Sequence, residues 1–208
     1  MTTLYLIRHG ATQANLERPF VLQGQRRDNP LAPLGIKQAE RARDLLQPVN
    51  LAAIYSSPLK RAFETAKIAA SHRPVHVIEA LIEGDVGRWD GKTYEQIERD
   101  DAEAYRLFKL DPVENGYPEG ENFHQILARV VPAFAALAAK HEGHAFAVFS
   151  HQIVCRAFLG QLLDVPSGSQ RRLKVANGGV SIVQFERSVL SVATFNSTFH
   201  LAGVETPT

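Results

Sequence analysis

The sequence predicts an α/β fold: a single three-layer domain with a mainly parallel sheet, helices on both faces and one antiparallel edge strand. Short apolar runs alternate with amphipathic segments of helical length along most of the chain, an order typical of parallel sheets with crossover helices. The last two apolar runs are separated only by Glu186-Arg187-Ser188, which predicts an antiparallel pair joined by a short turn. Because no segment has the composition of a linker, residues 1–208 are interpreted as one domain.

The first predicted element is a strand at residues 4–7, a continuous apolar run. It shows no alternation of polar and apolar residues, which is typical of a strand buried on both faces. Arg8, His9 and Gly10 follow directly, and Gly10 is expected to let a ligand approach the main chain. The next polar stretch, residues 16–33, has neither a helical nor a strand period, and loops of that length are usually functional.

A helix is predicted over residues 34–47, and Pro48 ends it. Its expected apolar face consists of Ile36, Ala39, Ala42, Leu45 and Leu46. A short apolar strand at residues 52–55 then leads into a second helix. Ser57 is expected to cap this helix and Pro58 to occupy its first position, which places Arg61 in the first turn.

The remaining segments continue the alternation of strands and helices. Strands are predicted at residues 75–78, 145–149, 180–185 and 189–195, and helices at 94–110, in two pieces, and 123–140. Pro132 is expected to kink the latter helix or to start a new piece. Residues 82–93, IEGDVGRWDGKT, are expected to form a loop that Trp89 anchors on the core. His151 follows the strand at 145–149, where the next helix begins.

Two arginines and two histidines are therefore expected at one rim of the sheet. Arg8, His9, Arg61 and His151 each follow a predicted strand, and the carboxyl ends of parallel strands meet where α/β folds bind ligands. Arginine binds phosphate oxygens with two parallel donors, and helix N-termini add backbone N–H groups. The pattern predicts a site for a phosphoryl group.

Composition and charge exclude several classes of function. Twenty-three Lys and Arg against 22 Asp and Glu give a formal net charge of +1, so no overall field attracts nucleic acid or anionic lipid. No run approaches the ~20 apolar residues of a membrane span. Cys155 is the only cysteine, which excludes an internal disulfide and a cysteine-based zinc site. No leader signal precedes the first strand, so the expected location is the cytoplasm.

The motifs of this chain resemble those of the histidine phosphatase superfamily, also called phosphoglycerate mutase-like, and of its phosphatase branch in particular. Four blocks occur in that family's order: LIRHGATQAN, SSPLKRAFETA, EGDVGRWDG and SHQIVCR. Supporting matches are LQGQRRDNPLAPLGIKQA, YPEGENFHQILARV and FNSTFHL. The resemblance extends over nearly the whole chain, and a motif match gains weight from such an ordered context.

The resemblance implies a role for each matching residue. His9 is the nucleophile that becomes phosphorylated, and Glu83 is the general acid. The residues that surround the transferred phosphoryl group or line the substrate site are Arg8, Arg61, His151, Asn15, Gln23, Gly24 and Gln152. Phosphoryl transfer depends mainly on positioning and charge stabilisation, which two arginines and a protonated His151 supply without a metal or another cofactor.

The function that follows is a metal-independent phosphomonoester hydrolase acting on a small phosphorylated metabolite. The alternatives are a cofactor-dependent phosphoglycerate mutase and a non-catalytic protein that binds a phosphorylated ligand. Two positions depart from the commonest family pattern: Ala11 replaces an acidic residue, and Gln152 replaces a glycine. Because side chains near the pocket affect specificity, the resemblance does not identify the individual substrate. No nucleic acid or membrane partner is expected, and a homodimer is compatible with the sequence.

Overall fold

The computed structural model describes residues 1–186 and 189–204. Over these ranges, the strands form one six-stranded sheet in the order β3-β2-β4-β1-β5-β6. The strands are β1 (Thr2–Arg8), β2 (Leu51–Ser56), β3 (His76–Val77), β4 (Ala145–Ser150), β5 (Val180–Glu186) and β6 (Val189–Ser197). β1 through β4 pair in parallel, whereas β5 runs antiparallel to both β1 and β6. The predicted α/β class with an antiparallel edge is confirmed; the predicted turn at Arg187-Ser188 lies outside the described residues.

Helices cover both faces of this sheet. They are α1 (Gln13–Leu16), α2 (Pro33–Leu46), α3 (Lys60–Ala70), α4 (Tyr94–Asp100), α5 (Ala102–Leu110), α6 (Phe123–Lys140) and α7 (Gln152–Leu162). Leu4 and Leu6 of β1 belong to the core shared with α6 and α7, whereas Ile7 belongs to the core shared with α2 and α3. Successive side chains of a strand point to opposite faces, so the uninterrupted apolar run of β1 matches its position between two helical layers. Of the helices in the described part of the chain, none has the length and apolarity to cross a bilayer.

The predicted apolar face of α2 is partly wrong. Ile36 is 42% exposed and Leu45 is 37% exposed, while Gly35 and Gln38 are buried. A Cβ on Gly35 would lie 2.1 Å from the backbone oxygen of Ala11. At its N-terminal end the helix packs so closely on the backbone after β1 that only a glycine fits at position 35, while Ala39, Ala42 and Leu46 are buried as predicted.

The predicted cap of α3 is also wrong. The helix begins at Lys60, two residues later than expected, and Leu59 occupies the N-cap position. The Ser57 hydroxyl instead lies 2.6 Å from Nε2 of His151. Arg61 nevertheless falls in the first turn, as predicted. In α6, Pro132 lies inside one continuous helix and does not start a new piece.

The loop at residues 82–93 packs against α4 and α5 beside the sheet. The only regular element within it is a 3₁₀ turn at Gly87–Trp89. Trp89 is fully buried, packs edge-on against Phe108 with ring centroids 5.1 Å apart, and donates its indole N–H to Asp101 over 2.8 Å. Trp89 is therefore the predicted core anchor of this loop, which is held close to the carboxyl ends of the strands.

Candidate active site

A cavity of about 240 Å³ lies beyond the carboxyl ends of β1 and β4. Its lining comes from the end of β1, residues 15–23, the loop at 82–93, the start of α7 and the segment before β5. The lining residues are Arg8, His9, Asn15, Phe20, Leu22, Gln23, Glu83, Tyr94, Tyr117, Gln152, Ile153, Arg156 and Asn177. The cavity thus occupies the edge of the sheet at which the sequence predicted a ligand site.

Two adjacent parallel strands bring the two histidines together. Arg8 of β1 pairs in register with Ser150 of β4, and the His9 N–H donates to the Ser150 carbonyl over 2.9 Å. The rings of His9 and His151 consequently lie 5.2 Å apart between centroids. No local sequence signal places these rings together, because their contact depends on the pairing of β1 with β4.

The hydrogen bonding of His9 determines which ring nitrogen is free. Nδ1 lies 2.7 Å from the Gly10 carbonyl oxygen, and a carbonyl only accepts, so Nδ1 carries the hydrogen in the neutral ring. Burial, followed by the positive charges of Arg61 and Arg8, lowers the pKa of His9 well below its usual value. Nε2 therefore holds an unprotonated lone pair at neutral pH.

Two buried arginines stand next to this ring. Arg61 donates through Nη1 to the Arg27 carbonyl over 3.0 Å and through Nη2 to the Gly24 carbonyl over 2.9 Å. Arg8 donates through Nη1 to the Val175 carbonyl over 2.7 Å. Burial lowers the pKa of Arg8 to about 10, so its guanidinium stays charged at neutral pH. Each side chain is thus fixed by backbone oxygens and keeps its cationic charge.

Three buried nitrogens of the arginines and of His151 have no hydrogen-bond partner among the described residues. They are Nε of Arg8, Nε of Arg61 and Nδ1 of His151. Buried polar groups in folded proteins are nearly always paired, so a cluster of unpaired donors requires an explanation. Both arginine Nε–H groups are donors, and Nδ1 of His151 is a donor when the Ser57 hydroxyl donates to Nε2; an anionic ligand would satisfy all three.

The ionisation of His151 differs from the expectation. Its ring is fully buried, and burial together with the charge of Arg61 lowers the pKa of His151 well below its usual value. The ring is therefore neutral in the free site at neutral pH, and the expected protonated His151 is wrong for this state. A proton on this buried ring would place a third positive charge beside the guanidinium groups of Arg61 and Arg8.

Glu83 reaches the same cavity from the opposite side. The residue is only 4% exposed. Its carboxylate accepts hydrogen bonds from its neighbour Gly84 N–H over 2.9 Å and from Ile153 N–H over 3.2 Å. Ile153 lies in the first turn of α7, where backbone N–H groups have no partner within the helix. The start of α7 thus holds this carboxylate at the cavity lined by His9.

Asn15 and Gln23 line the cavity through a shared polar network. The Thr12 hydroxyl contacts Oδ1 of Asn15 at 3.1 Å and Oε1 of Gln23 at 2.9 Å. Asn177, which the sequence reasoning missed, donates to Asn15 Oδ1 and to the His9 carbonyl, each over 3.2 Å. The pairing of β5 with β1 would have placed Asn177 near the site, because in an antiparallel pair the residues before β5 lie beside the end of β1.

Four residues predicted for the site do not line the cavity: Gly10, Gly24, Arg61 and His151, of which Arg61 and His151 are fully buried. Gly24 does not line the cavity; its carbonyl binds Arg61 and its N–H donates to Asp90 Oδ1 over 3.1 Å. A Cβ on Gly10 would lie 2.4 Å from the Gly35 oxygen, so glycine is required there by the packing of α2. The expectation that Gly10 admits a ligand to the main chain is therefore wrong.

The cavity has two contrasting parts. We call the buried group Arg8, His9, Arg61 and His151 the floor; Arg8 and His9 line the cavity, and Arg61 and His151 are buried next to His9. The wall is the group Phe20, Tyr94, Tyr117, Gln152 and Arg156. Of the wall, the sequence reasoning identified only Gln152, although a helical spacing of four residues would have placed Arg156 beside it. Among the described residues, no three His, Cys, Asp or Glu side chains are grouped so as to hold a metal ion.

Comparisons with known proteins agree on one family. The model for the histidine phosphatase superfamily (branch 1) matches residues 4–198. The adenosylcobalamin/alpha-ribazole phosphatase of Escherichia coli (strain K12) is 30% identical over 196 residues, 93% of this chain and 95% of that protein. The probable phosphoglycerate mutase GpmB of Enterobacter sp. (strain 638) is 30% identical over 191 residues, 90% of this chain and 87% of that protein.

Solved structures match the fold over nearly its full length. Bacillus stearothermophilus YhfR superposes with a TM-score of 0.89 and 32% identity, covering 97% of this chain and 100% of that one. A phosphoserine phosphatase mutant from Entamoeba histolytica in complex with phosphoserine gives a TM-score of 0.85 and 31% identity, with coverage of 97% and 100%. The fold described above is thus shared with these two proteins, one of which is a phosphoserine phosphatase.

Proposed function

Since this chain belongs to the histidine phosphatase superfamily, whose members are phosphatases and phosphoglycerate mutases, we propose that it is a metal-independent phosphomonoester hydrolase. Its substrate is a small phosphorylated metabolite, and the reaction proceeds through a phosphohistidine. The observation that carries this proposal is the state of His9. Its Nδ1 is fixed on the Gly10 carbonyl, and its Nε2 is unprotonated at a cavity beside Arg8 and Arg61.

In the first step, Nε2 of His9 attacks phosphorus and the bond from phosphorus to the ester oxygen breaks. The unpaired donors of Arg8, Arg61 and His151 bind the three equatorial oxygens, on which negative charge is spread. Glu83 donates a proton to the departing oxygen, which leaves as an alcohol. The products of this step are the free alcohol and a phosphoryl group on His9.

In the second step, water attacks the phosphoryl group as Glu83, now a carboxylate, accepts one of its protons. The bond between Nε2 and phosphorus breaks, and its electron pair returns to the ring as inorganic phosphate leaves. The negative phosphoryl group also offers His151 a partner for its free Nδ1, so a proton on this ring becomes favourable only once the anion is bound.

The size and lining of the cavity suit a small substrate. A volume of about 240 Å³ holds a phosphoryl group and a modest leaving group, and the wall adds aromatic rings and one guanidinium. Phosphoserine, 3-phosphoglycerate and α-ribazole 5′-phosphate are substrates or ligands in the names of similar proteins. They form a rational first panel of substrates.

The test incubates the protein with a chelator and this panel and measures inorganic phosphate against isomerised product. Release of phosphate with chelator present supports the hydrolase. Relatives named as probable phosphoglycerate mutases make isomerisation the alternative, and isomerisation that depends on a bisphosphate primer would replace the proposal with a mutase. Phosphate binding without turnover would support a non-catalytic protein instead.

A further inference from the structure

The guanidinium of Arg129 in α6 contacts the backbone next to Glu83 and the side chain of Glu121, although Arg129 does not line the cavity. Nη1 donates to the carbonyls of Ala80 and Ile82 over 2.7 and 2.8 Å, and Nη2 donates to the Glu83 carbonyl over 3.1 Å. Nε and Nη2 also donate to the two carboxylate oxygens of Glu121, over 2.7 and 2.9 Å. An arginine side chain has five N–H donors, and these contacts account for all five.

Glu121 holds the backbone on the C-terminal side of Glu83. Its Oε2 accepts the backbone N–H of Asp85 over 2.9 Å, and the side chain of Gln25 donates both to Oε2 over 3.4 Å and to the Glu83 carbonyl over 2.7 Å. The ion pair therefore holds the backbone on both sides of Glu83, from residue 80 to residue 85. Both side chains are only about one-fifth exposed, at 21% and 20%.

A comparison within the chain shows that this pair is more than a surface ion pair. Arg106 and Glu103 make the same two-point contact, over 2.9 and 2.8 Å, but they are 61% and 70% exposed and lie on one helix. Exposed pairs contribute little because water screens them. Charged hydrogen bonds to backbone carbonyls in a partly buried position are stronger and fix geometry.

We propose that Arg129 and Glu121 are positioning residues that aim the Glu83 carboxyl group at the departing oxygen. This inference rests on the proposed role of Glu83 as general acid. The Glu83 side chain contacts backbone N–H groups at Gly84 and Ile153, so its own main chain must be held in place for the carboxyl group to reach the substrate. A shift of about 1 Å in a catalytic group costs roughly a hundredfold in rate.

The leaving group provides a readout specific to this role. An alkoxide is strongly basic and needs a proton as it departs, whereas a nitrophenolate is a stable anion that departs without one. A displaced Glu83 carboxyl group therefore slows hydrolysis of an alkyl phosphate more than that of an aryl phosphate. A general loss of folded protein lowers both equally.

The experiment measures kcat/KM for β-glycerophosphate and p-nitrophenyl phosphate with Arg129→Met, Arg129→Lys and Glu121→Gln. The ratio of the two values in one preparation is independent of the amount of active protein. We expect this ratio to fall roughly tenfold to a hundredfold in Arg129→Met and Glu121→Gln, and less in Arg129→Lys. Arg106→Met removes a matched arginine–glutamate pair and leaves the ratio unchanged.

The paired substitutions also separate positioning from through-space electrostatics. Arg129→Met removes a positive charge and Glu121→Gln removes a negative one, so an electrostatic effect on the site would have opposite signs in the two variants. A positioning effect lowers the ratio in both. Equal losses on both substrates, or ratio changes of opposite sign, would overturn the inference while leaving the hydrolase intact.

Failure of the proposed function has a different signature. Glu83→Gln, measured in the same way, lowers the ratio at least as far as Arg129→Met if Glu83 is the acid. A wild-type protein that hydrolyses neither ester, or a Glu83→Gln variant with an unchanged ratio, would remove the premise and the inference with it.

Discussion

The floor and the wall of the cavity are built in different ways. The floor residues follow strand ends and are buried; backbone carbonyls fix both arginines, while Nε of each arginine and Nδ1 of His151 have no hydrogen-bond partner among the described residues. The wall comes from the loop at residue 20, the start of α4, the connection between α5 and α6, and the half-buried side of α7. Under the proposed function, we expect the floor to determine the reaction and the wall to determine which alcohol carries the phosphate.

The largest effect is expected from His9→Ala in the floor. Removal of the covalent nucleophile should lower kcat by roughly a millionfold, the scale seen for such losses elsewhere, because the phosphohistidine can no longer form. The assay is phosphate release from p-nitrophenyl phosphate, with intact folding checked by thermal unfolding. Retained turnover in a pure preparation would contradict the covalent mechanism and the contrast between floor and wall.

Arg61→Met should cause the next largest loss. Arginines that neutralise a transferred phosphoryl group contribute roughly a thousandfold or more to kcat, and Arg61 has an unpaired Nε beside His9. The exposed Arg99, which pairs with its neighbour Asp100, supplies the matched control Arg99→Met. A loss below tenfold for Arg61→Met would show that charge stabilisation does not reside in the floor.

Burial of the floor histidines should make stability depend on pH. The pKa values of His9 and His151 are lowered in the folded state, so between pH 6.5 and those lowered values the unfolded chain binds protons that the folded chain does not. The free energy of unfolding should therefore fall as pH falls below about 6.5, by up to about 1.4 kcal/mol per pH unit for each histidine.

The measurement for this prediction is urea unfolding at pH 7.5, 6.5 and 5.5. His151→Asn should flatten the pH dependence relative to the wild type, because one proton-linked group is removed. The exposed His72 provides the control substitution His72→Asn. A steeper dependence in His151→Asn would mean that the ring gains a proton on folding, opposite to the direction that burial imposes.

The smallest effect is expected in the wall. Arg156→Met should lower kcat/KM about fivefold for phosphomonoesters with a second anionic group, the loss of ~1 kcal/mol typical of a partly exposed ion pair. Hydrolysis of p-nitrophenyl phosphate, which has no second anion, should change by no more than about twofold. Equal losses on both substrates would show that Arg156 acts on the phosphoryl group and belongs with the floor.

The sequence predicted the floor better than the wall, for a physical reason. Strand ends can be located from apolar runs, and parallel topology brings those ends to one edge, so Arg8, His9, Arg61 and His151 were identified together. The wall consists of residues separated by loops, such as Tyr94 and Tyr117. Their contact with one cavity depends on how α4 and α5 pack against the loop anchored by Trp89.

Errors within the fold have the same origin. The buried side of α2 was misjudged because Gly35 packs against the backbone of Ala11, a contact that leaves no trace in apolar periodicity. Ser57 was expected to cap α3, but its hydroxyl lies against His151, 94 positions away in the chain. The roles of Glu83, Asn15 and Gln23 came from the resemblance to a family, and they stay predictions until variants are assayed.

The sequence by itself determined the α/β class, the order of strands and helices, and the family to which the chain belongs. These follow from local periodicity and ordered motifs, both of which are visible in the order of the amino acids alone. Only the tertiary structure decided that His9 carries its hydrogen on Nδ1, that His151 is neutral in the free site, and that Arg129 and Glu121 hold the Glu83 loop. The protonation of the two histidines and the position of the Glu83 carboxyl group depend on burial and on contacts between residues distant in the chain. Neither is encoded in a local pattern.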